Sequence, residues 1–230
     1  IVKLNPKPGG SVSTGQSKGM QYIMPDFILE IVDGDLQLRL NQRNVPELRL
    51  NSTYKNMLEG IEKITSEEGL GMSPKRITVS TSGVPKMIKK LADDDVKFNL
   101  AVSLHSAIDE VRSKIMPFSK AFPLKDLKES LEYWYAKTNS RVTYEYVVWE
   151  GINDTKEAIH ALVTFCKYVP CKVNLIEYNP IGDGDFKQAR PQAIDDYISI
   201  LEMNDIIVNV RRSRGKDIDA ACGQLANKKS

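Results

Sequence analysis

The densest chemistry in the 230-residue chain lies near its end. Arg211, Arg212, Arg214 and Lys216 place four cations in six residues, and Cys222 follows between Ala221 and Gly223. So little side-chain cover lets a large ligand approach the sulfur, and neighbouring cations favour the thiolate, the nucleophilic form. The same cations suit the phosphates of a nucleic acid. Two plainer readings stand beside these. A single cysteine among small residues packs as a small hydrophobe, and a basic run serves as a solvated face. A second set of polar residues recurs after successive apolar runs: Ser80-Thr81-Ser82-Gly83, Ser103-Leu104-His105-Ser106 and Asn179-Pro180. A serine there is often only a turn former. At corresponding positions of successive units, however, Ser80, Ser103, His105 and Asn179 are candidates to converge on one ligand.

The elements that must position these residues follow from hydrophobic periodicity. Tyr54, Met57, Leu58, Ile61 and Ile64 recur at helical spacing, closed by Gly69 and Gly71. Strands are expected over 76–80, 98–105, 142–149, 172–178 and 206–211. Helices are expected over 85–91, 124–137, 154–168 and 192–203. The 124–137 helix carries Leu124, Leu127, Leu131 and Trp134 on one stripe, and Asp154-Thr155-Lys156-Glu157 reads as a capping pattern. Strand–helix alternation of this kind means βαβ units and a parallel sheet, open or closed into a barrel. Ligands of such sheets bind at the carboxyl ends of the strands, where the serines, His105 and Asn179 fall.

The front of the chain reads differently. Residues 1–22 hold Pro6, Pro8, Gly9, Gly10, Gly15 and Gly19 with hardly an apolar residue after Leu4, the texture of a flexible lead-in. Phe27–Val32 and Leu36–Leu40 flank Asp33-Gly34, a hairpin signal. Pro46 interrupts, and Leu48-Arg49-Leu50 resumes an extended pattern.

Composition sets the outer bounds. With 41% hydrophobic and 27% charged residues, the chain has the make-up of an ordinary globular protein. A net charge of +2 gives no global field for nucleic acid, so any such role rests on local clusters. Three cysteines make no disulfide framework and suit a reducing compartment, which we read as the cytoplasm. No apolar run approaches the roughly 18 residues of a membrane span. The chain opens at Ile1 without a signal peptide and reads as a fragment.

From about Tyr54 to Lys228 the sequence resembles the radical-SAM RNA methyltransferases that modify carbon 2 of adenine in large-subunit ribosomal RNA and transfer RNA. The resemblance rests on Pro74-Lys75-Arg76-Ile77-Thr78-Val79-Ser80-Thr81-Ser82-Gly83, Leu100-Ala101-Val102-Ser103-Leu104-His105, Pro170–Ile176, Tyr178-Asn179-Pro180 and Arg214–Leu225. It implies a partial β/α barrel in which Ser80, Ser103, Leu104, His105 and Asn179 bind S-adenosylmethionine. Cys222 would be the methyl carrier. From their charge, Arg211, Arg212, Arg214 and Lys216 are expected at or beside the rim, holding RNA phosphates, with an inward pairing to Asp217 or Asp219 as the alternative. Ser80, Ser103, His105 and Asn179 are further expected to line one concavity, with Cys222 near its mouth.

The departures are as informative. The family's 4Fe-4S cluster sits on a Cys-x-x-x-Cys-x-x-Cys loop, and a Gly-Glu-Pro segment grips the cofactor's amino group; neither pattern occurs here. Cys166 and Cys171 read as packing residues, so no metal ligand is assigned. The first two barrel strands and the second catalytic cysteine are missing too. The polypeptide as written is therefore expected to be inactive in methyl transfer, with an open sheet edge that invites self-association unless the Phe27–Leu40 hairpin caps it. Residues 1 to about 58 instead resemble the core-binding region of the enhancer-dependent bacterial sigma factor, through Pro25–Glu30, Leu38–Asn41 and Pro46–Arg49. The identity changes near Tyr54–Gly60. The domain reading is a lead-in over 1–22, a sigma-like hairpin over 23–53 and a partial barrel over 54–230. Three functions compete: a truncated RNA methyltransferase, a segment that docks on RNA polymerase with the barrel as passenger, and a non-functional hybrid.

Overall fold

The computed structural model describes the backbone of residues 21–23, 27–32, 35–40 and 47–53, and backbone and side chains of residues 54–178 and 186–211. Its contacts divide the chain into two units, 1–81 with 97–100, and 82–96 with 101–230.

In the first unit, β1 (Gln21–Ile23), β2 (Phe27–Val32) and β3 (Asp35–Leu40) form an antiparallel meander, with Val32 opposite Asp35. The hairpin read from Asp-Gly is present. β3 then runs parallel to β4 (Ile77–Thr81), from Leu36 opposite Ile77 to Arg39 opposite Ser80. This corrects the expected open edge: the backbone groups of β4 on that side are paired by β3. Between them in the chain, α1 spans Glu47–Thr65. The extended reading of Leu48–Leu50 is thus overturned. A proline just before a helix removes no helical hydrogen bond, so Pro46 in the sequence is compatible with a helix that begins at Glu47. Tyr54, Met57 and Ile61 are buried, as the stripe predicts, along with Ile77 and Val79 of β4. A Cβ at Gly69 would overlap the Lys63 carbonyl, so the turn leaving α1 needs glycine. Asn99 donates through Nδ2 to the carbonyls of Lys75 (2.6 Å) and Ile77 (3.3 Å), tying the start of β5 (Asn99–Ser103) to β4.

In the second unit the alternation continues. The helices are α2 (Pro85–Asp93), α3 (Asp109–Ile115), α4 (Leu124–Thr138), α5 (Lys156–Cys166) and α6 (Pro191–Glu202). β6 (Val142–Val148), β7 (Cys171–Glu177) and β8 (Ile207–Arg211) run parallel, with Glu145, Asn174 and Asn209 in one cross-strand row. With β4 and β5, five strands alternate with helices in the expected α/β order. The α4 stripe buries Leu124, Leu127, Leu131 and Trp134, and α4 ends on Asn139 in the left-handed conformation. Thr155 caps α5, its hydroxyl accepting from the Ala158 N–H at 3.2 Å. Helix α3 was not anticipated. Seven residues present too short a stripe for periodicity to register, and its buried member is the charged Arg112.

Candidate functional site

Strand β5 ends at Ser103, with Leu104 and His105 following it, and almost every backbone polar group there has a partner. The N–H groups of Leu104 and His105 both donate to the Glu145 carbonyl on β6, at 3.0 and 3.3 Å. From the other side comes Arg112 of α3. Its Nε donates to the Leu104 carbonyl at 3.2 Å, and its Nη2 donates to the carbonyls of Ser82 (2.7 Å) and Ser103 (3.5 Å). Arg112 is fully buried. Burial pulls its guanidinium down to about 10, with Asp109 opposing, so it stays a cation at neutral pH. One buried fork thus fixes both the turn after β4 and the end of β5, which a lysine's point charge could not do. Gly83 completes this turn at φ +93°, in the left-handed half of backbone space, with its α-carbon facing Leu127, Arg112 and Val102.

His105 itself adopts φ +55°. Its Nδ1 accepts from the Val147 N–H at 3.2 Å, and its ring meets Trp149 edge-on with centroids 5.7 Å apart. The His105 carbonyl accepts from Nδ2 of Asn153 at 2.7 Å. Asn153 is fully buried in the Gly151-Ile152-Asn153-Asp154 turn after β6. Its Nδ2 also donates to the Val147 carbonyl (2.9 Å), and its Oδ1 accepts from the Trp149 N–H (2.7 Å). Tyr197 of α6 donates to the Asn153 carbonyl at 2.6 Å and shares a 3.1 Å hydrogen bond with the Tyr146 hydroxyl.

A polar ladder crosses one face of β6, β7 and β8. Nδ2 of Asn209 donates to Asn174 (3.2 Å), whose own Nδ2 donates to Oε1 of Glu145 (2.8 Å). The remaining Glu145 oxygen pairs with Nη1 of Arg211 at 3.6 Å. Glu145 is only 5% exposed, so this pair sits where solvent screens it little. A small cavity of about 90 Å³ lies elsewhere, lined by Val148, Glu177, Tyr178, Pro191, Asp195 and Val210. Cofactor sites are of the order of 300–1,000 Å³, so this cavity is not one.

The expected residues therefore fall into three groups. Ser103, Leu104 and His105 stand together at the end of β5 in the second unit. Ser80 is buried in β4 of the first unit. Asn179, Arg212, Arg214, Lys216 and Cys222 lie outside the described residues. Arg211, expected at an RNA-facing rim or inward against Asp217 or Asp219, is paired with Glu145. Arg112, Asn153, Glu145 and Asn174 went unrecognised. The available signals were a glutamate and an asparagine at the centres of β6 and β7, and an Asn-Asp turn after β6.

Comparison with known proteins supplies the relationship. Residues 1–54 match the family model for the sigma-54 factor core binding domain. A Flavobacterium johnsoniae protein named "Probable dual-specificity RNA methyltransferase RlmN" is 73% identical over 177 residues, covering 77% of this chain and 51% of that protein. The like-named protein of Flavobacterium psychrophilum is 72% identical over 224 residues, covering 94% of this chain and 65% of that protein. The C-terminal part of the chain is homologous to the RlmN radical-SAM methyltransferases. The chain thus spans between about half and two thirds of the length of these relatives. A crystal structure of a radical SAM methyltransferase from Sphaerobacter thermophilus matches with a TM-score of 0.74 at 24% identity, over 94% of this chain and 80% of that one, which shows a shared fold.

Radical-SAM chemistry implies an iron–sulfur cluster, and the described residues do not fit one. Cys166 is buried on α5, and Cys171 donates its S–H to the Cys166 carbonyl at 3.4 Å. The contact with Cys171, together with burial, pushes the Cys166 thiol up, the opposite of what a thiolate ligand needs. Among the described residues no three His, Cys, Asp or Glu side chains group to hold a metal ion. Nor is any described helix long and apolar enough to cross a membrane.

Proposed function

We propose that this chain is the S-adenosylmethionine-binding and methyl-carrier portion of an RNA methyltransferase acting on carbon 2 of adenine in ribosomal and transfer RNA, in the cytoplasm. The observation that carries the reading is the immobilised end of β5, where Arg112, Glu145 and Asn153 hold the backbone of Ser103, Leu104 and His105. Binding a cofactor in one pose requires such pre-organisation, because a segment already ordered loses little entropy when the ligand arrives. In this reading Ser80 and Asn179 complete the cofactor contacts, and Cys222 carries the methyl group. Arg212, Arg214 and Lys216 hold phosphates, while Arg211 anchors the start of that segment through Glu145. Carbon 2 of adenine is not nucleophilic, and S-adenosylmethionine with a reduced cluster supplies the radical chemistry such a carbon demands.

The three cysteines, Cys166, Cys171 and Cys222, match no cluster triad, so the polypeptide binds S-adenosylmethionine without turning it over. Equilibrium dialysis with labelled cofactor tests the binding, with Ser103→Ala and His105→Ala expected to weaken it. Wild-type chain that retains no cofactor would refute the reading. Anaerobic incubation with iron, sulfide, reductant, cofactor and RNA, followed by mass analysis, tests the inactivity; methyladenosine above a Cys222→Ala control would overturn it. For the basic run, replacing Arg212, Arg214 and Lys216 by Gln should lower RNA affinity and flatten its salt dependence. The family match over residues 1–54 favours a second reading, in which that segment binds the core of RNA polymerase. Co-purification with core enzyme through residues 1–54 alone tests it, and no retention refutes it. A hybrid without function predicts failure of both binding experiments.

A further inference from the structure

We infer that Asn153 is a positioning residue for the cofactor segment, acting through His105; the inference rests on the reading of Ser103–His105 as that segment. His105 stands at φ +55°, a left-handed conformation that residues with a Cβ rarely adopt unless their surroundings impose it. Asn153 imposes it. Three local elements meet at its carboxamide: the His105 carbonyl at the end of β5, the Val147 carbonyl near the end of β6, and the Trp149 N–H that follows. Both hydrogens of Nδ2 and the acceptor Oδ1 are therefore used, and no other side chain of that size offers this combination. The asparagine is oriented in turn, because Tyr197 donates to its carbonyl from α6.

The consequence reaches the imidazole. With the His105 carbonyl held by Asn153, the ring comes to rest against Trp149, and Nδ1 accepts the Val147 N–H. A nitrogen that accepts carries no proton, so the ring hydrogen sits on Nε2 and a single tautomer is presented. The Val147 peptide is gripped at both ends, its carbonyl by Asn153 and its N–H by His105. Asn153 thus fixes the backbone, ring orientation and tautomer of His105 without itself touching a ligand.

The chain has two histidines, and His160 is exposed on α5, which provides an internal reference. Histidine labelled with ¹⁵N, followed by long-range proton–nitrogen correlation, should show His105 as the Nε2–H tautomer and His160 as the solution mixture. An Nδ1–H or mixed His105 signal in the wild-type chain overturns the proposal before any variant is made. Asn153→Ala should convert His105 to a tautomer mixture and weaken S-adenosylmethionine about tenfold, the equivalent of one hydrogen bond. In a His105→Gly background, where the left-handed conformation is unstrained, Asn153→Ala should cost no further affinity. An unchanged His105 signal in Asn153→Ala, or equal losses in both backgrounds, refutes the positioning role. If Asn153→Ala does not fold, Tyr197→Phe, which removes the 2.6 Å bond to the Asn153 carbonyl, should broaden the tautomer distribution, and an unaltered signal refutes it. Should the wild-type chain fail to bind S-adenosylmethionine, the functional reading falls while the tautomer experiment still decides the clamp.

Discussion

Two glycine-to-alanine substitutions should move stability in opposite directions. At Gly83 the added Cβ would sit 3.1 Å from Cδ1 of Leu127, 3.2 Å from Nη2 of Arg112 and 3.4 Å from Cγ1 of Val102. Leu127 and Val102 are both fully buried, so neither has room to retreat. The φ of +93° adds backbone strain of about 1–2 kcal/mol for any residue with a Cβ. Forcing one methyl group into a close-packed interior costs about 1–3 kcal/mol more. Gly83→Ala should therefore destabilise the second unit by about 2–5 kcal/mol. Gly60, inside α1, has nothing within 4 Å of the corresponding Cβ, so alanine there removes only the entropic penalty of a helical glycine. Gly60→Ala should stabilise by about 0.5–1 kcal/mol. Urea unfolding by far-ultraviolet circular dichroism reads both, and the emission of Trp134 and Trp149 reports on the second unit alone. A Gly83→Ala midpoint within about 0.5 kcal/mol of wild type, allowing for extrapolation error, would refute the packing argument. A destabilising Gly60→Ala would refute the open-space argument. Because the clash falls on Nη2 of Arg112, Gly83→Ala should, on the proposed function, also weaken S-adenosylmethionine by loosening the carbonyls of Ser82 and Ser103.

Arg112→Lys keeps a charge but loses the fork, leaving the Ser82 or Leu104 carbonyl without a donor. At about 1–3 kcal/mol per orphaned buried group, the loss in urea unfolding should reach about 2–4 kcal/mol, and a loss below 0.5 kcal/mol refutes the clamp. High pH should unfold the second unit: burial pushes the Tyr146 hydroxyl up to about 12, and it raises Tyr144 and Tyr197 as well. The unfolded chain then releases its tyrosine protons first, so this stability is intact below pH 10 and lost as pH rises toward 12. Each such tyrosine contributes a slope of about 1.4 kcal/mol per pH unit, and urea midpoints that stay level from pH 10 to 12 contradict this. Iodoacetamide followed by peptide mass mapping should modify half-buried Cys171 before buried Cys166, and the reverse order would contradict the packing of the α5–β7 junction.

The α/β alternation was legible because its signals are local. A period near 3.6 marked α4 and α5, a run of β-branched and aromatic residues marked β6, and Asp-Gly in the sequence marked the β2–β3 pairing. The candidate cofactor segment was legible for a related reason: a strand end and the serine or histidine that follows it are neighbours in the chain. What escaped depends on partners far apart in sequence. Nothing local says that Arg112 reaches back to Ser82, that Asn153 takes the His105 carbonyl, or that Arg211 turns to Glu145 across 66 residues. Parallel register decides that last pairing, because it sets Glu145, Asn174 and Asn209 in one row with Arg211 two positions further along the same face. Nor could propensity pair β3 with β4, since strand partners are chosen by which edges meet in the folded chain. Composition and periodicity therefore determined most of the elements, with α3 and the first turn of α1 the exceptions. Tertiary structure alone decided which buried polar groups satisfy one another, because a hydrogen bond is won by distance in space and not by separation along the chain.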